Sequence, residues 1–149
     1  MLNESHKILI VDDEPVNLMM LEKVLQRKFE VVTARSGQEA LRILNRQTVS
    51  LLITDQRMPG ITGTELLRKS RALDPDMVCM LITAETDSGT FLDAIMKSGA
   101  VRVIKKPWDP DKLLQMVEAS LERYESHCET KRAINQLKEA NQRLDKTVR

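Results

Sequence analysis

The sequence predicts an α/β fold: a doubly wound parallel sheet built from five βα units and continued by an extended C-terminal helix. Three observations predict it. Short apolar runs alternate five times with segments at helical spacing. The runs are nearly continuous in valine, isoleucine and leucine, as strands covered by helices on both faces require. Acids, a threonine and lysines fall at the C-terminal ends of those runs, the edge at which such folds hold their ligands.

Each element has its own signal. Lys7–Val11 (KILIV) reads as the first strand and runs into Asp12 and Asp13. Pro15, welcome in a first helical turn, opens a helix with apolar spacing at Val16, Met19, Met20 and Val24. Residues 30–33 read as a second strand. Ser36 is a candidate cap for a helix over residues 38–45, with Ala40, Leu41 and Leu44 on one face. Residues 49–54 form the third strand, within the stretch LLITDQRMPG that delivers Asp55 to its end and turns at Pro59 and Gly60. A helix over Gly63–Leu73, a strand over residues 77–83, a helix over 87–98 and a strand over 101–104 follow. Pro107, Pro110 and periodic leucines after Asp111 begin the last helix.

Composition sets outer limits. The 149 residues suit one domain with an appendage. A hydrophobic fraction of 42% is enough for a core, which argues against wholesale disorder. Twenty-three basic and 22 acidic residues give a formal charge of +1, so no global field favours nucleic acid or anionic membrane. No apolar run approaches 18 residues, and the start MLNESHKILIVDDE does not read as a signal peptide. Cys79, inside an apolar run, reads as a small core residue. It and Cys128 make neither a disulfide framework nor a zinc site, which fits a reducing, cytoplasmic setting.

The fold inference gathers distant residues at one rim: Asp12 and Asp13 from strand one, Asp55 from strand three, Thr83 from strand four, Lys105 and Lys106 from strand five. Three converging carboxylates repel each other and stay ionised together only around a cation. Oxygen ligands in an open, water-retaining site favour Mg²⁺ over zinc. A lysine adds a compact positive charge suited to a phosphoryl group, and a threonine hydroxyl adds a hydrogen bond. The set is arranged for phosphoryl transfer onto a carboxylate, with Asp55 as the nucleophile. Taken singly, an aspartate at a strand end is more often a cap; the combination is what carries the reading. Lys105 reads as a solvated charge, and Trp108 as a packing anchor for the last helix. His6 and His127 have no partner visible in sequence.

IVDDEPVN, ITDQRMPGITG, LITAE and KKPW, in that order, resemble the receiver domain of two-component response regulators. The resemblance spans about residues 5–122. It implies a flavodoxin-like (βα)₅ fold with strand order 2-1-3-4-5, and phosphoryl transfer to Asp55 from a phosphohistidine on a sensor histidine kinase or a phosphotransfer protein. By position, Asp12 and Asp13 correspond to the acidic pair that holds Mg²⁺, and the backbone carbonyl of Arg57 to a further ligand beside Asp55. Thr83 matches the switch hydroxyl and Lys106 the active-site lysine, with a cis Lys106–Pro107 bond aiming it inward. Val103 stands where the family often carries a switch tyrosine or phenylalanine. Gln56 and Glu85 occupy positions that tune hydrolysis of the acyl phosphate. A Mg²⁺-dependent phosphohydrolase is a rival reading, but haloacid-dehalogenase-like enzymes carry a second Asp two residues after the nucleophile, where this chain has Arg57. A phosphate-independent interaction module is disfavoured because the acids and the lysine are all present.

From Asp111 to Val148 there is neither glycine nor proline. A helix of that length spans roughly 57 Å, well beyond a domain with a radius of gyration near 13 Å. Val117, Leu121, Tyr124 and Cys128 give one apolar series. Ile134, Leu137, Asn141, Leu144 and Val148 give another at heptad spacing, offset by ten residues from Tyr124 to Ile134, as in a stammer. β-Branched residues at a, leucine at d and Asn141 at an a position favour a parallel two-stranded coil. Residues 118–149 hold seven Lys or Arg and six Asp or Glu, which argues against direct nucleic-acid contact. The expected organisation is a receiver domain over residues 1–122 and a dimerising coiled-coil linker over 123–149, leading to an output domain outside this chain.

Overall fold

The computed structural model describes residues 6–84 and 101–148, with side chains as far as Leu144. Its elements, in order, are β1 (Lys7–Val11), α1 (Pro15–Leu25), β2 (Glu30–Ala34), α2 (Gly37–Arg46), β3 (Leu51–Asp55), α3 (Gly63–Leu73), β4 (Val78–Thr83), β5 (Val101–Lys105) and a C-terminal helix, Pro110–Val148. The expected helix over residues 87–98, and Glu85, lie outside the described residues.

The five strands form one parallel sheet in the order β2-β1-β3-β4-β5, as expected. Alternate side chains of each strand point to opposite faces, and the core divides accordingly. Ile8, Ile10, Ile53 and Ile82 pack with α1 and the C-terminal helix through Leu18, Leu21, Val117 and Leu121. Leu9, Val11, Leu52 and Leu81 pack with α2 and α3 through Ala40, Leu66 and Leu67. Trp108 leans on the first of these layers, as an anchor for the last helix should. Cys79 is buried, and that burial pushes its thiol up to about 11, so it is an inert core residue.

Local signals explain the helix starts. The Ser36 hydroxyl accepts the Glu39 N–H at 3.1 Å, and the Thr62 hydroxyl accepts that of Glu65 at 3.3 Å. Both satisfy donors that a first turn leaves orphaned. Strands β3 and β5 each run one residue further than the apolar runs suggest. Asp55 and Lys105 are drawn into the ladder by their partners on β4, Ile82 and Thr83.

The C-terminal helix is 39 residues long and stays tied to the domain beyond its apolar anchor Leu121. His6 Nε2 lies 2.6 Å from a Glu125 carboxylate oxygen, its Nδ1 lies 2.9 Å from the Ser50 hydroxyl, and its ring meets Tyr124 edge-on at 5.8 Å. One turn later the Asp76 carboxylate accepts hydrogen bonds from His127 at 3.2 Å and Lys131 at 2.8 Å. Those two donors hold the Asp76 carboxyl below its usual range. From Arg132 to Leu144 every side chain is exposed, including Ile134, Leu137 and Leu144 at 47, 65 and 61%.

Candidate functional site

The register of the central strands builds the site. Val11 of β1 lies opposite Thr54 of β3, so the next residues, Asp12 and Asp55, leave the sheet side by side. Asp55 is opposite Ile82 on β4, and Thr83 is opposite Lys105 on β5. The Lys106 backbone N–H then donates to the Thr83 carbonyl at 2.8 Å. Adjacent strands thus present Asp12, Asp55, Thr83 and Lys106 along one stretch of rim.

The side chains converge there. One carboxylate oxygen from each of Asp12, Asp13 and Asp55 falls within 4.8 Å of the others. The Lys106 amine sits 2.8 Å from Asp55 Oδ1. The Lys106–Pro107 peptide bond is cis. Asp12, Asp55 and Thr83 are buried, at 2, 7 and 2% exposure. Lys105 faces solvent. Arg57 stands two residues beyond Asp55 with an exposed side chain. Val103 is half-buried on β5, in register with Leu81.

Burial pushes the Asp12 carboxyl above the usual carboxylate range. The Glu14 backbone N–H, which Asp12 accepts at 3.0 Å, pulls the other way. The Asp55 and Asp13 charges add to the upward push, and the Lys106 cation opposes it. A buried acid beside two like charges is held at an electrostatic cost. A hard divalent cation among those oxygens would relieve it. The donor set contains only oxygen, so the residues fit Mg²⁺.

The backbone around Asp55 is fixed by contacts that the motif reading does not supply. The Gly63 N–H donates to the Gln56 carbonyl at 3.0 Å, and the Thr64 N–H donates to the Gln56 side-chain oxygen at 2.9 Å. Gln56, expected to tune hydrolysis, therefore uses its amide to cap α3. A Cβ on Gly63 would lie 2.3 Å from the Asp55 carbonyl oxygen and 2.9 Å from Gln56 Cα. Helix α3 can start this close to the acid only because Gly63 has no side chain. Gly60 turns the loop at φ +82°, a conformation favoured by glycine. The signal for the α3 start is present in sequence as Thr62 followed three residues later by Glu65; the need for glycine between them is visible only in three dimensions.

Comparison with known proteins places the chain in context. Residues 8–118 match the response regulator receiver domain family. The hydrogenase transcriptional regulatory protein HoxA of Cupriavidus necator is 38% identical over 122 residues, covering 82% of this chain and 25% of that protein. The transcriptional regulatory protein GlrR of Escherichia coli K12 is 37% identical over 124 residues, covering 79% of this chain and 27% of its own length. The chain thus spans about a quarter of the length of these relatives. Among solved structures, an adenylate cyclase from Rhodopirellula baltica aligns with a TM-score of 0.81 at 31% identity, over 88% of this chain and 98% of that one. A CheY-like receiver domain protein from Methanospirillum hungatei aligns at 0.77 and 30%, over 83% and 98%.

Proposed function

Because the chain belongs to the response regulator receiver domain family, whose role is phosphoacceptor signalling, we propose that Asp55 takes a phosphoryl group from a sensor histidine kinase or phosphotransfer protein. The observation that carries the proposal is the Lys106 amine 2.8 Å from Asp55 Oδ1, with Asp12 and Asp13 oxygens in the same cluster. An Asp55 oxygen forms the new P–O bond as the P–N bond of the donor phosphohistidine breaks and the imidazole leaves. Asp12, Asp13, Asp55 and the Arg57 carbonyl would hold Mg²⁺, which would supply charge neutralisation for the transferring group. Lys106 shifts from the carboxylate to the phosphoryl oxygens, and the Thr83 hydroxyl supplies a further hydrogen bond. This is a signalling domain whose only chemistry is on itself.

The surface beside the rim supports a protein donor. Val16, Met19 and Met20 on α1 are 60, 64 and 53% exposed. A hollow of about 720 Å³ next to them is lined by Asp12, Met20, Lys106 and Trp108. An apolar helix face flanking a reactive carboxylate suits docking of another helix.

Mg²⁺ titration tests the metal assignment, with Trp108, the single tryptophan, as the fluorescent reporter. The expected result is saturable binding that Asp13→Ala weakens severely. Lys106→Met removes a competing cation, so it is expected to bind Mg²⁺ roughly fivefold tighter while accepting phosphoryl groups more slowly. Looser Mg²⁺ binding by Lys106→Met would contradict the shared site.

We further propose that the C-terminal helix carries the signal to a parallel coiled-coil dimer and to an output domain beyond it. The phase offset supports this. On an ideal helix, Ile134, Leu137, Asn141 and Leu144 centre roughly 150° away from Val117, Leu121, Tyr124 and Cys128. The first set is exposed and the second faces the domain. A helix that packs on its own domain with one face must meet a second copy with another, and the stammer is where that handover occurs. Leu137→Asp, at an exposed position, is expected to leave folding unchanged within about 0.5 kcal/mol and to weaken dimerisation at least about tenfold by sedimentation. Equal association of both chains would remove the coil.

A further inference from the structure

Gln56 stands between the acceptor Asp55 and Arg57, and it is anchored through its backbone and its side chain alike. Its backbone N–H donates to the Ile82 carbonyl of β4 at 3.0 Å, which extends the β3–β4 hydrogen bonding past Asp55. Its own carbonyl accepts the Gly63 N–H at 3.0 Å. Its side-chain oxygen accepts the Thr64 N–H at 2.9 Å, and its side-chain nitrogen donates to the Thr64 hydroxyl at 3.4 Å. These partners fix the orientation of the amide: a backbone N–H can be met only by the oxygen, which leaves the nitrogen for the hydroxyl.

The N–H groups of Gly63 and Thr64, in the first turn of α3, therefore both end on one residue outside the helix. A first turn has no intrahelical partner for such donors, and the side chain that meets them is ordinarily the one just before the helix. Thr62 fills that ordinary role, with its hydroxyl accepting the Glu65 N–H at 3.3 Å. Gln56 reaches across eight positions to take the Thr64 donor. Thr64 is 7% exposed, so water is a poor substitute for the amide. The bridge closes the loop that carries Arg57. On the other side of Arg57, Met58 is 8% exposed and belongs to the core layer that holds Val11 and Leu66. Arg57 is thus bracketed by an anchored peptide before it and a buried side chain after it. A peptide carbonyl has no rotamer of its own, so its direction is set by the backbone on either side.

We propose that Gln56 is a positioning residue of the metal site: its amide bridge to Thr64 sets where the Arg57 carbonyl stands relative to Asp55, and so sets the affinity for Mg²⁺. This rests on the reading of Asp55 and the Arg57 carbonyl as Mg²⁺ ligands. Gln56 acts through the backbone it anchors, as groups that orient a metal's ligands do, and removing such a group typically lowers metal affinity tenfold or more.

The test is Mg²⁺ binding to the full chain, read by Trp108 fluorescence, together with amide hydrogen exchange on the metal-free protein. Gln56→Met keeps the length of the side chain and loses both polar contacts. It is expected to speed exchange of the Thr64 amide without metal and to weaken Mg²⁺ binding about tenfold. Phosphoryl incorporation from a small acyl phosphate then needs about tenfold more Mg²⁺ for half its maximal rate, while the maximal rate stays within about twofold. Gln56→Glu keeps an oxygen for the Thr64 N–H, and the Thr64 hydroxyl can turn to donate to the second oxygen. It is expected to keep the Thr64 amide protected and to bind Mg²⁺ at least as tightly as the unsubstituted chain. Thr64→Val removes only the hydroxyl half of the bridge and is expected to weaken Mg²⁺ binding about threefold, which keeps the test open if thermal unfolding shows that Gln56→Met does not fold. Thr62→Ala removes the local cap of the same helix and leaves Gln56 its contacts with Thr64; it is expected to lower Tm with Mg²⁺ affinity unchanged. Unchanged Mg²⁺ affinity in both Gln56→Met and Thr64→Val, or an equal loss in Thr62→Ala, would overturn the proposal and leave Gln56 a helix cap. Asp13→Ala separates that failure from failure of the metal reading: if it too binds Mg²⁺ as tightly as the unsubstituted chain, the acidic rim is not the metal site and the proposal falls with it.

Discussion

Replacing Asp55 by asparagine is expected to abolish phosphoryl incorporation from both a phosphohistidine donor and a small acyl phosphate, while the chain stays folded. The substitution is nearly isosteric at a position only 7% exposed, so packing is kept. It removes the nucleophilic oxygen, which the neighbouring acids do not replace: Asp12 is tied to the Glu14 N–H at 3.0 Å, whereas Asp55 holds the Lys106 amine at 2.8 Å. Two electrostatic effects on stability oppose each other. One of three crowded carboxylates disappears, which relieves Asp12, but Lys106 loses its ion pair with Asp55. Lys106 is 35% exposed and can turn to water, so the net change is expected within about 1 kcal/mol. Thermal unfolding and phosphoryl incorporation, measured on the same preparation, check both halves of this prediction.

The second large effect is structural. Gly63→Ala places a methyl group 2.3 Å from the Asp55 carbonyl oxygen, 2.8 Å from a Leu81 methyl and 2.9 Å from Gln56 Cα. The Leu81 side chain can move, but the two backbone atoms belong to the end of β3 and to the Gln56 segment hydrogen-bonded to β4 through Ile82. Helix α3 must then withdraw, breaking the Gly63 and Thr64 bonds to Gln56. The expected cost is about 3 kcal/mol, or a fall in Tm of roughly 10 °C. Phosphoryl acceptance should fall as well, because the same shift displaces Asp55 from Lys106. Gly60→Ala makes a useful contrast. Its φ of +82° carries a backbone cost, but the nearest atoms to a new Cβ are the flexible Gln38 amide at 3.4 Å and beyond. About 1 kcal/mol is expected there, with little effect on Asp55.

Much of this was legible in the sequence, for identifiable reasons. Strands buried on both faces leave continuous apolar runs, and parallel right-handed connections put every strand end on one edge. Those two rules suffice to bring Asp12, Asp13, Asp55, Thr83 and Lys106 together before any coordinates are seen. The family match accounts for the rim, but not for what lies at the other pole. His6 pairs with Glu125 across 119 positions, and Asp76 with Lys131 across 55. Polar contacts of that kind leave no periodicity in apolar residues. The C-terminal helix accordingly reads as leaving the domain near Arg123, where its apolar anchors thin out, while polar contacts hold it as far as Lys131. Gln56 has a structural role that the sequence does not display. A glutamine beside a phosphoacceptor reads as part of the chemistry, and its side-chain contact with the Thr64 N–H, eight residues away, is visible only in the fold.

The dock at the far pole also bears on how a signal could travel. Phosphorylation of Asp55 replaces a carboxylate by a phosphoryl dianion, a net gain of about one negative charge, at the end of β3 beside the ends of β4 and β5. The same two strands begin beside Arg102 and the helix segment that precedes Ile134. A rigid pair of strands with a charge change at one end and a docked helix at the other gives the proposed switch a physical route. Whether the coil responds is read by comparing dimerisation of the phosphorylated and unmodified chains.

The central claim is the identity of the acceptor, and site mapping tests it most directly. The chain is incubated with an acyl-phosphate donor and Mg²⁺, then digested and analysed by mass spectrometry, with hydroxylamine to report acyl phosphates. The account predicts a single phosphoryl group, labile to hydroxylamine, on the peptide that carries Asp55, and none when Mg²⁺ is chelated. A stable phosphoryl group on a serine or threonine, a phosphohistidine at His6 or His127, or a labile group on Asp12 or Asp13 would contradict it.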